Sequence, residues 1–223
     1  MSNIPTCIIR DNFFKEPHKI LEYANSLDFC VDEINYPGVR TEDLSALNRP
    51  LYESIIEKVL WNIFDLQSFR TNYQALLSFQ KINSDNIGGW VHMDVPKMFT
   101  FVVYLDEHPD KDSGTVLYDL KEEYKLVTTP TKVIDTYNRG DKFASKEVIN
   151  SLETDRKTLL SHFDESIKIS NKFNRMIMFD ASVPHTQNIL NGKDERLTLV
   201  GFVGQCDSMN QTVTYKSNIY TTI

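Results

Sequence analysis

The sequence predicts an α+β fold in which two helices precede a β-rich core. Two segments in the first third of the chain carry apolar residues at the spacing of an amphipathic helix. After residue 72 the period changes, and short runs rich in β-branched and aromatic residues alternate with turn signals. Helices followed by many short strands are typical of an α+β protein built on a sandwich or a barrel.

A proline opens each predicted helix, at a position where the missing backbone N–H is no loss. The first helix is predicted over residues 17–27, and the second begins at Pro50 and ends near Leu66. A short strand is predicted over residues 4–9. Residues 30–49 contain Pro and Gly turn signals and predict an ordered loop.

The β-rich part contains one strand of high β propensity and several shorter ones. The strongest is Phe-Thr-Phe-Val-Val-Tyr-Leu, which ends at Leu105. Asn191-Gly192 predicts a turn, and residues 212–223 predict an edge strand. The other predicted strands cover residues 73–82, 90–94, 99–105, 114–118, 176–179, 185–190 and 197–203.

Residues 119–172 are highly charged and contain few large apolar side chains, so they predict an insertion rather than a domain. A helix is expected within them around residues 146–165, and a turn at 138–141. Long insertions near a site often act as lids or substrate loops. We therefore predict one domain over residues 1–223. Its parts are a helical support (1–72), a β core (73–118 and 174–204) and the insertion or lid (119–172).

Charge and cysteine content narrow the classes of partner and compartment. The formal net charge of −7 argues against a nucleic acid or an anionic membrane as partner. The three cysteines are odd in number and lack C-x-x-C spacing, which fits a reducing compartment. We find no signal peptide and no apolar run of about 20 residues, so a soluble cytoplasmic protein is expected. Nothing in the sequence predicts the oligomeric state.

The chemistry is predicted to centre on Trp90-Val-His92-Met-Asp94. Residues i and i+2 of a strand point to the same face, so His92 and Asp94 would project side by side. His185, which follows a proline far downstream, supplies a candidate third ligand. Two histidines and one carboxylate with open positions form the facial triad of non-haem Fe(II) oxygenases.

A second group of polar residues follows the last histidine. Arg196 begins an apolar strand, and Thr198 lies two residues later on the same predicted face. A planar guanidinium beside a hydroxyl makes a receptor for a carboxylate. The alternative is that Arg196 pairs with Asp194 or Glu195 at a turn, or that it caps the edge of the sheet.

The order of these motifs resembles the Fe(II)/2-oxoglutarate-dependent dioxygenase superfamily, in its prolyl 4-hydroxylase-like branch. The resemblance covers roughly residues 73–118 and 174–204. The motifs that carry it are His92-x-Asp94, Val103-Tyr104-Leu105-Asp106, Ser113-Gly114-Thr115, the strand Asn174–Phe179, His185 and Arg196-Leu197-Thr198. Asp11–Phe14 and Tyr36–Arg40 also resemble small phage- and bacterium-encoded members whose substrates are mostly unassigned.

This resemblance implies a double-stranded β-helix, a jelly-roll-like core with the N-terminal helices packed on one sheet. It implies that His92, Asp94 and His185 bind Fe(II), and that Arg196, assisted by Thr198, holds the distal carboxylate of the cosubstrate 2-oxoglutarate. O2 would be the second cosubstrate. The implied reaction is hydroxylation of a C–H bond in a small molecule or a peptide side chain, with release of succinate and CO2.

Two further residues enter only through the resemblance. Tyr104 stands where this branch has a tyrosine that reaches the same carboxylate, although it could equally be a core aromatic. Many relatives have a tyrosine ten residues before the first histidine ligand, where this chain has Ile82. Gln80, two residues earlier on the same strand face, is a candidate replacement.

The resemblance also bears on the type of reaction. Halogenating relatives replace the metal-binding carboxylate with a small residue, so the presence of Asp94 favours hydroxylation. The nucleic-acid-repair branch carries extra arginine and asparagine after the cosubstrate arginine, and this chain lacks them.

Two other readings remain open at this point. One is a cupin-like metal-binding enzyme that works without 2-oxoglutarate. The other is a structural jelly-roll protein, such as a virion component, with a vestigial metal site.

Overall fold

Two antiparallel β-sheets form the framework of the protein. The computed structural model describes residues 7–30, 38–61, 71–82, 89–110, 112–125, 146–188 and 195–208. The strands are β1 Cys7–Arg10, β2 Val39–Arg40, β3 Thr71–Ile82, β4 Phe99–Tyr104, β5 Thr115–Leu120, β6 Phe163–Ile169, β7 Met176–Asp180, β8 His185–Gln187 and β9 Arg196–Ser208. The helices are α1 Pro17–Asn25, α2 Leu44–Leu47, α3 Arg49–Leu60, α4 Glu122–Lys125 and α5 Lys146–Leu160.

The larger sheet has six strands in the order β1-β7-β4-β9-β3-β2. β9 pairs with β4 on one side and with β3 on the other, both antiparallel. Because side chains alternate between the faces of a strand, Arg196 and Thr198 share one face of β9 while Leu197 and Leu199 lie on the other. The two leucines belong to the main apolar cluster, so the polar pair points to the opposite side of the sheet.

The smaller sheet has the order β6-β5-β8. Beyond β8, His92 forms an isolated antiparallel bridge with His185. Leu117 of β5 lies opposite His185, and it packs with Tyr104 and Ile177 of the larger sheet in one buried cluster. The inner faces of the two sheets therefore meet around the predicted site.

The outer face of the larger sheet shares one buried cluster with helices α1 to α3. Helix α2 is capped by Asp43, which accepts a hydrogen bond from the Ser45 backbone N–H. The second carboxylate oxygen of Asp43 accepts from the N–H of Leu77 in β3. The Tyr52 hydroxyl of α3 donates to the Ala75 carbonyl of the same strand. These bonds tie the helices to β3 in a fixed position.

Within residues 119–172, the described part adds to the smaller sheet instead of standing apart from it. β6 lies in this segment and pairs with β5 along its length. Leu159 at the end of α5 packs with Val91, Val116 and Phe163 in a buried cluster on the face of the smaller sheet that is turned away from the site. The role of this segment as a lid stays a prediction.

Most predicted strands are confirmed, because β3, β4, β5, β7 and β9 overlap the segments expected from their residue types. Three expectations are wrong in detail. Residues 90–94 form only a bridge at His92 and no strand. The second helix ends at Leu60 rather than near Leu66, and the predicted loop 30–49 contains β2 and the short helix α2.

Other predictions fall on residues outside the described part of the chain. These are the turns at 138–141 and at Asn191-Gly192, and the edge strand over 212–223. Among the helices that the structure describes, none has both the length and the apolar character needed to cross a membrane.

Packing between β9 and β4 leads to a stability prediction. A Cβ atom at Gly201 would lie 2.2 Å from the ring of Phe101 on β4, and that ring is fully buried. We expect Gly201→Ala to lower the free energy of unfolding by about 1–3 kcal/mol, because an overpacked core must shift to make room. Urea denaturation followed by circular dichroism measures the change.

Gly204→Ala is the matched control. It lies on the same strand, and its nearest neighbour would be the flexible Lys97 side chain, with Cδ at 3.5 Å. We expect it to leave the unfolding midpoint nearly unchanged. Equal losses in the two variants would show that the Phe101 contact does not limit the packing.

Candidate metal centre

Three side chains that can bind a metal converge between the two sheets. Their ligand atoms, from His92, Asp94 and His185, all lie within 4.8 Å of one another. Nε2 of His92 is 3.6 Å from Oδ1 of Asp94, and Nε2 of His185 is 3.3 Å from Oδ2. Within the described residues this is the one group of three or more such side chains that is close enough to hold a metal ion. The structure therefore brings together the three residues that the sequence singled out.

Backbone pairing places the two histidines next to each other. The His92 N–H donates to the His185 carbonyl at 3.0 Å, and the His185 N–H donates to the His92 carbonyl at 2.9 Å. Asp94 is fixed in the same way, because its N–H donates to the Ala181 carbonyl. These bonds bring residues from distant parts of the chain to one end of the smaller sheet.

Each imidazole is oriented by a carbonyl two residues earlier in the chain. Nδ1 of His92 lies 2.8 Å from the Trp90 carbonyl, and Nδ1 of His185 lies 2.9 Å from the Val183 carbonyl. A carbonyl only accepts hydrogen bonds, so Nδ1 carries the proton in both rings. Nε2 is then the nitrogen available to a metal ion, and in both rings it faces Asp94. Metal-binding histidines in proteins have this arrangement.

Asp94 is held as a carboxylate. The Thr100 hydroxyl donates to Oδ2 of Asp94 at 2.5 Å. Burial disfavours the charged form, but the neighbouring His185 and His92, together with the Thr100 hydrogen bond, hold the pKa of Asp94 well below its usual range. Sequence reasoning did not identify Thr100, since its place beside Asp94 depends on where β4 packs.

Arg196 is buried between the sheets, with 6% of its surface exposed. Nη1 donates to the carbonyls of Ser113 and Gly114 at 2.7 and 3.1 Å, and Nη2 donates to Oε1 of Gln187 at 3.1 Å. Burial lowers the pKa of the guanidinium, although an arginine stays charged. Glu195 pairs with Lys81 instead, so the described contacts do not support the alternative in which Arg196 pairs with Glu195. Asp194, the other partner considered, lies outside the described residues.

Two nitrogens of Arg196, Nε and Nη2, each keep a hydrogen for which the described residues provide no acceptor. Nε is buried and makes no hydrogen bond to any residue that the structure describes, and Nη2 has a second hydrogen beyond the one given to Gln187. Nε and Nη2 lie on the same edge of the planar group, the edge that holds a carboxylate through two parallel hydrogen bonds. A buried donor without a partner is costly, so this edge suits a bound anion.

Tyr104, Thr198 and Gln80 form a row across three neighbouring strands. Thr198 on β9 lies directly opposite Gln80 on β3 and Tyr104 on β4, so the three side chains share the face that carries Arg196. Tyr104 is fully buried, and its hydroxyl makes a 2.7 Å hydrogen bond with the Thr115 hydroxyl. Burial raises the pKa of Tyr104 to about 12, so its hydroxyl keeps its proton.

The other two members of the row bond mainly to each other and to a neighbour. The Thr198 hydroxyl lies 3.5 Å from the Gln80 carbonyl, and Oε1 of Gln80 accepts from Nη2 of Arg40 at 3.4 Å. The proposed cosubstrate contacts of Gln80, Thr198 and Tyr104 stay predictions.

A buried polar network holds the segment that grips Arg196. Asp106 accepts hydrogen bonds from the Leu197 N–H and from the Asn171 side chain. The Asn171 amide also donates to the Ser113 hydroxyl, next to the carbonyl that Arg196 uses. Burial raises the pKa of Asp106, although hydrogen bonds from Leu197 and Asn171 and the charge of Arg196 oppose the shift. The network fixes the start of β9 relative to the turn before β5.

The residues present fit a metal ion with an anionic ligand beside it. The Nε2 atoms of two imidazoles and a carboxylate make up a donor set suited to Fe(II) with positions left open. The side-on edge of Arg196 is the matching receptor for a carboxylate.

Comparison with solved structures finds a similar fold in a protein with 2-oxoglutarate bound, in a prolyl hydroxylase and in an alpha-ketoglutarate-dependent epimerase. HygX from Streptomyces hygroscopicus, solved with nickel, 2-oxoglutarate and hygromycin B bound, has a TM-score of 0.56 and 11% identity, covering 89% of this chain and 82% of that chain. A prolyl hydroxylase from Trichoplax adhaerens, in complex with a hypoxia-inducible-factor peptide, has a TM-score of 0.53 and 11% identity over 90% of this chain and 84% of its own. SnoN, a non-haem alpha-ketoglutarate-dependent epimerase from nogalamycin biosynthesis, has a TM-score of 0.51 and 9% identity over 89% and 77%.

At such low identities the similarity establishes a shared fold, and it confirms the double-stranded β-helix expected from the sequence resemblance. No curated protein sequence matches the chain. One family model, described as a family of unknown function (DUF6445), matches residues 2–200. Since that match spans most of the chain, the protein belongs to this family.

Proposed function

We propose that the protein is an Fe(II)- and 2-oxoglutarate-dependent oxygenase that hydroxylates a C–H bond of a small molecule or of a peptide side chain. One observation carries the proposal: the cluster of His92, Asp94 and His185 shares the space between the sheets with a buried guanidinium whose side-on edge has no hydrogen-bond partner at Nε among the described residues. A bound metal ion by itself would not require a buried arginine whose Nε has no described partner.

In this proposal His92, Asp94 and His185 hold the metal, and Arg196 holds the distal carboxylate of 2-oxoglutarate. Tyr104, Thr198 and Gln80 line the same face and assist in binding the cosubstrate. When bound, Fe(II) and 2-oxoglutarate with O2 supply the oxidation of the substrate, with release of succinate and CO2.

The chain's own residues orient these groups and keep water out. The carbonyls of Trp90 and Val183 hold both imidazoles with Nε2 toward the ion. Thr100 occupies one oxygen of Asp94 and limits how the carboxylate can turn. Buried apolar side chains from both sheets, including Leu117 and Phe179, close the space around the centre. Preorganisation of this kind is the protein's part in cofactor chemistry.

The similar solved structures indicate two broad classes of substrate. HygX binds hygromycin B, and the Trichoplax enzyme binds a peptide, so both small molecules and peptides remain within the proposal. The exclusion of nucleic acid and membrane partners, like the cytoplasmic location, rests on charge and cysteine content and stays a prediction.

The buried cation at Arg196 disfavours the readings that lack 2-oxoglutarate. A cupin-like enzyme without the cosubstrate, or a structural jelly roll, would gain nothing from burying a guanidinium with an unpaired Nε, because that burial is costly.

The metal assignment predicts a spectroscopic outcome. Anaerobic titration of the protein with Fe(II) and then 2-oxoglutarate should give a saturable visible charge-transfer band. His185→Ala should abolish the band, because the ion loses one of its three protein ligands. His108→Ala removes an exposed histidine outside the site and should leave the band intact.

The result of this titration distinguishes the proposed oxygenase from the two alternative functions. Tight iron binding without the band would favour the cupin-like reading, and no iron binding at all would favour a structural jelly roll.

The cosubstrate assignment predicts the effect of shortening the cationic group. Arg196→Lys keeps a positive charge but removes the planar edge of Nε and Nη2, so we expect the KM for 2-oxoglutarate to rise by about tenfold or more. The measurement is succinate release as a function of 2-oxoglutarate concentration, in the uncoupled reaction if no substrate is known.

Arg49→Lys is the matched control, since Arg49 is an exposed arginine paired with Glu53 in α3. It should not change the KM. A KM in Arg196→Lys equal to that of the wild type would remove Arg196 from the cosubstrate site.

A further inference from the structure

We propose that Gln187 is a second residue that binds the distal carboxylate of 2-oxoglutarate, acting beside Arg196. The inference rests on the proposed function and extends it to a residue that neither the sequence motifs nor the family resemblance identifies.

The strand places Gln187 in the right part of the site. Gln187 lies two residues after His185 on β8, so both side chains point to the same face. Across the sheet it is opposite Thr115, whose hydroxyl is bonded to Tyr104. Gln187 therefore lies two residues from the candidate metal ligand His185 in sequence. In space it lies beside the row of predicted cosubstrate residues that includes Tyr104.

The orientation of the amide follows from its partner. Nη2 of Arg196 lies 3.1 Å from Oε1 of Gln187, and a guanidinium has only donors, so the amide oxygen must face it. The NH2 group is then directed away from the arginine. Among the residues that the structure describes, this NH2 group makes no hydrogen bond, and the side chain is only partly buried.

The donors of the two side chains complement one another. Arg196 keeps Nε–H and one hydrogen of Nη2 for which the described residues provide no acceptor, and Gln187 bonds to that same Nη2. An anion held by these donors lies beside the amide, where its NH2 group can donate a further hydrogen bond.

The chain makes room for this side chain at Gly89. A Cβ atom there would lie 2.7 Å from Cγ of Gln187 and 2.1 Å from Oγ1 of Thr186. The backbone of residue 89 therefore packs directly against the stem of Gln187. That close contact restricts the stem and keeps the amide aimed at Arg196.

The test compares two ligands with the same chelating head. 2-Oxoglutarate and 2-oxobutanoate share the keto and C1 carboxylate groups, but 2-oxobutanoate has no distal carboxylate. Both are titrated into the anaerobic Fe(II)-loaded protein, and dissociation constants are read from the visible chelate band. The ratio of the two constants isolates the contribution of the distal carboxylate, because a general loss of structure would weaken both.

Two variants separate the roles of the amide. Gln187→Leu removes both the acceptor and the donor and should raise the dissociation constant of 2-oxoglutarate by about tenfold, with little change for 2-oxobutanoate. Gln187→Glu keeps an acceptor for Arg196 but replaces the NH2 group with a charged oxygen, so it should weaken 2-oxoglutarate further and again spare 2-oxobutanoate. Thr186→Val alters the neighbouring residue on the other face of β8 and should change neither constant.

Three other results would contradict the proposed role of Gln187. If both Gln187 variants bind 2-oxoglutarate as the wild type does, the residue is not part of the carboxylate site. If they lose both ligands in equal proportion, Gln187 acts on the metal centre or the fold instead. If the wild type forms no chelate with either ligand, the proposed function itself fails, which is a distinct result.

Discussion

The burial of one positive charge constrains the whole site. Arg196 belongs to β9 of the larger sheet, but its described partners are carbonyls in the turn before β5 and a side chain on β8 of the smaller sheet. A buried guanidinium is tolerated only where such partners surround it. The two sheets must therefore close on each other in one register before the charge can be accommodated. Asp106 and Asn171 support that register, since they link the start of β9 to Ser113.

The metal ligands depend on the same closure through the backbone. His92 and His185 exchange two hydrogen bonds, which is the pairing that antiparallel strands make. Because the partners are backbone groups, the side chains remain available, and each ring is then turned by a carbonyl of its own segment. Asp94 reaches the same point because its N–H bonds to Ala181, just after β7. Long-range backbone pairing therefore brings the three ligands together, and hydrogen bonds to nearby carbonyls orient the two imidazole rings.

The contrast between local spacing and long-range contacts explains which parts of the site the sequence could predict. The spacing of His92 and Asp94, and of Arg196 and Thr198, depends only on the two-residue period of an extended chain, so it is visible locally. Gln187 has the same two-residue spacing from His185. Its role is indicated only by the contact between its amide oxygen and Arg196 in the folded structure. Thr100 was missed for the same reason, since its partner Asp94 lies on a different segment. The expected strand at 90–94 shrinks to the one β-bridge between His92 and His185. The strand β6 was hidden within a charged segment, whose polar residues occupy its exposed positions.

The fold alone does not choose the reaction, because the solved structures of this shape include a prolyl hydroxylase and an epimerase. Individual atoms of this chain therefore decide which cofactors fit. The two imidazoles donate through Nδ1 to backbone carbonyls and direct Nε2 at Asp94. The guanidinium of Arg196 uses Nη1 for two carbonyls and retains donors at Nε and Nη2. The first set of atoms suits a cation, and the guanidinium suits an anion. In the proposed function, His92, Asp94 and His185 would hold the metal ion and Arg196 would hold the distal carboxylate of the cosubstrate, so that one ion with its cosubstrate would meet both requirements.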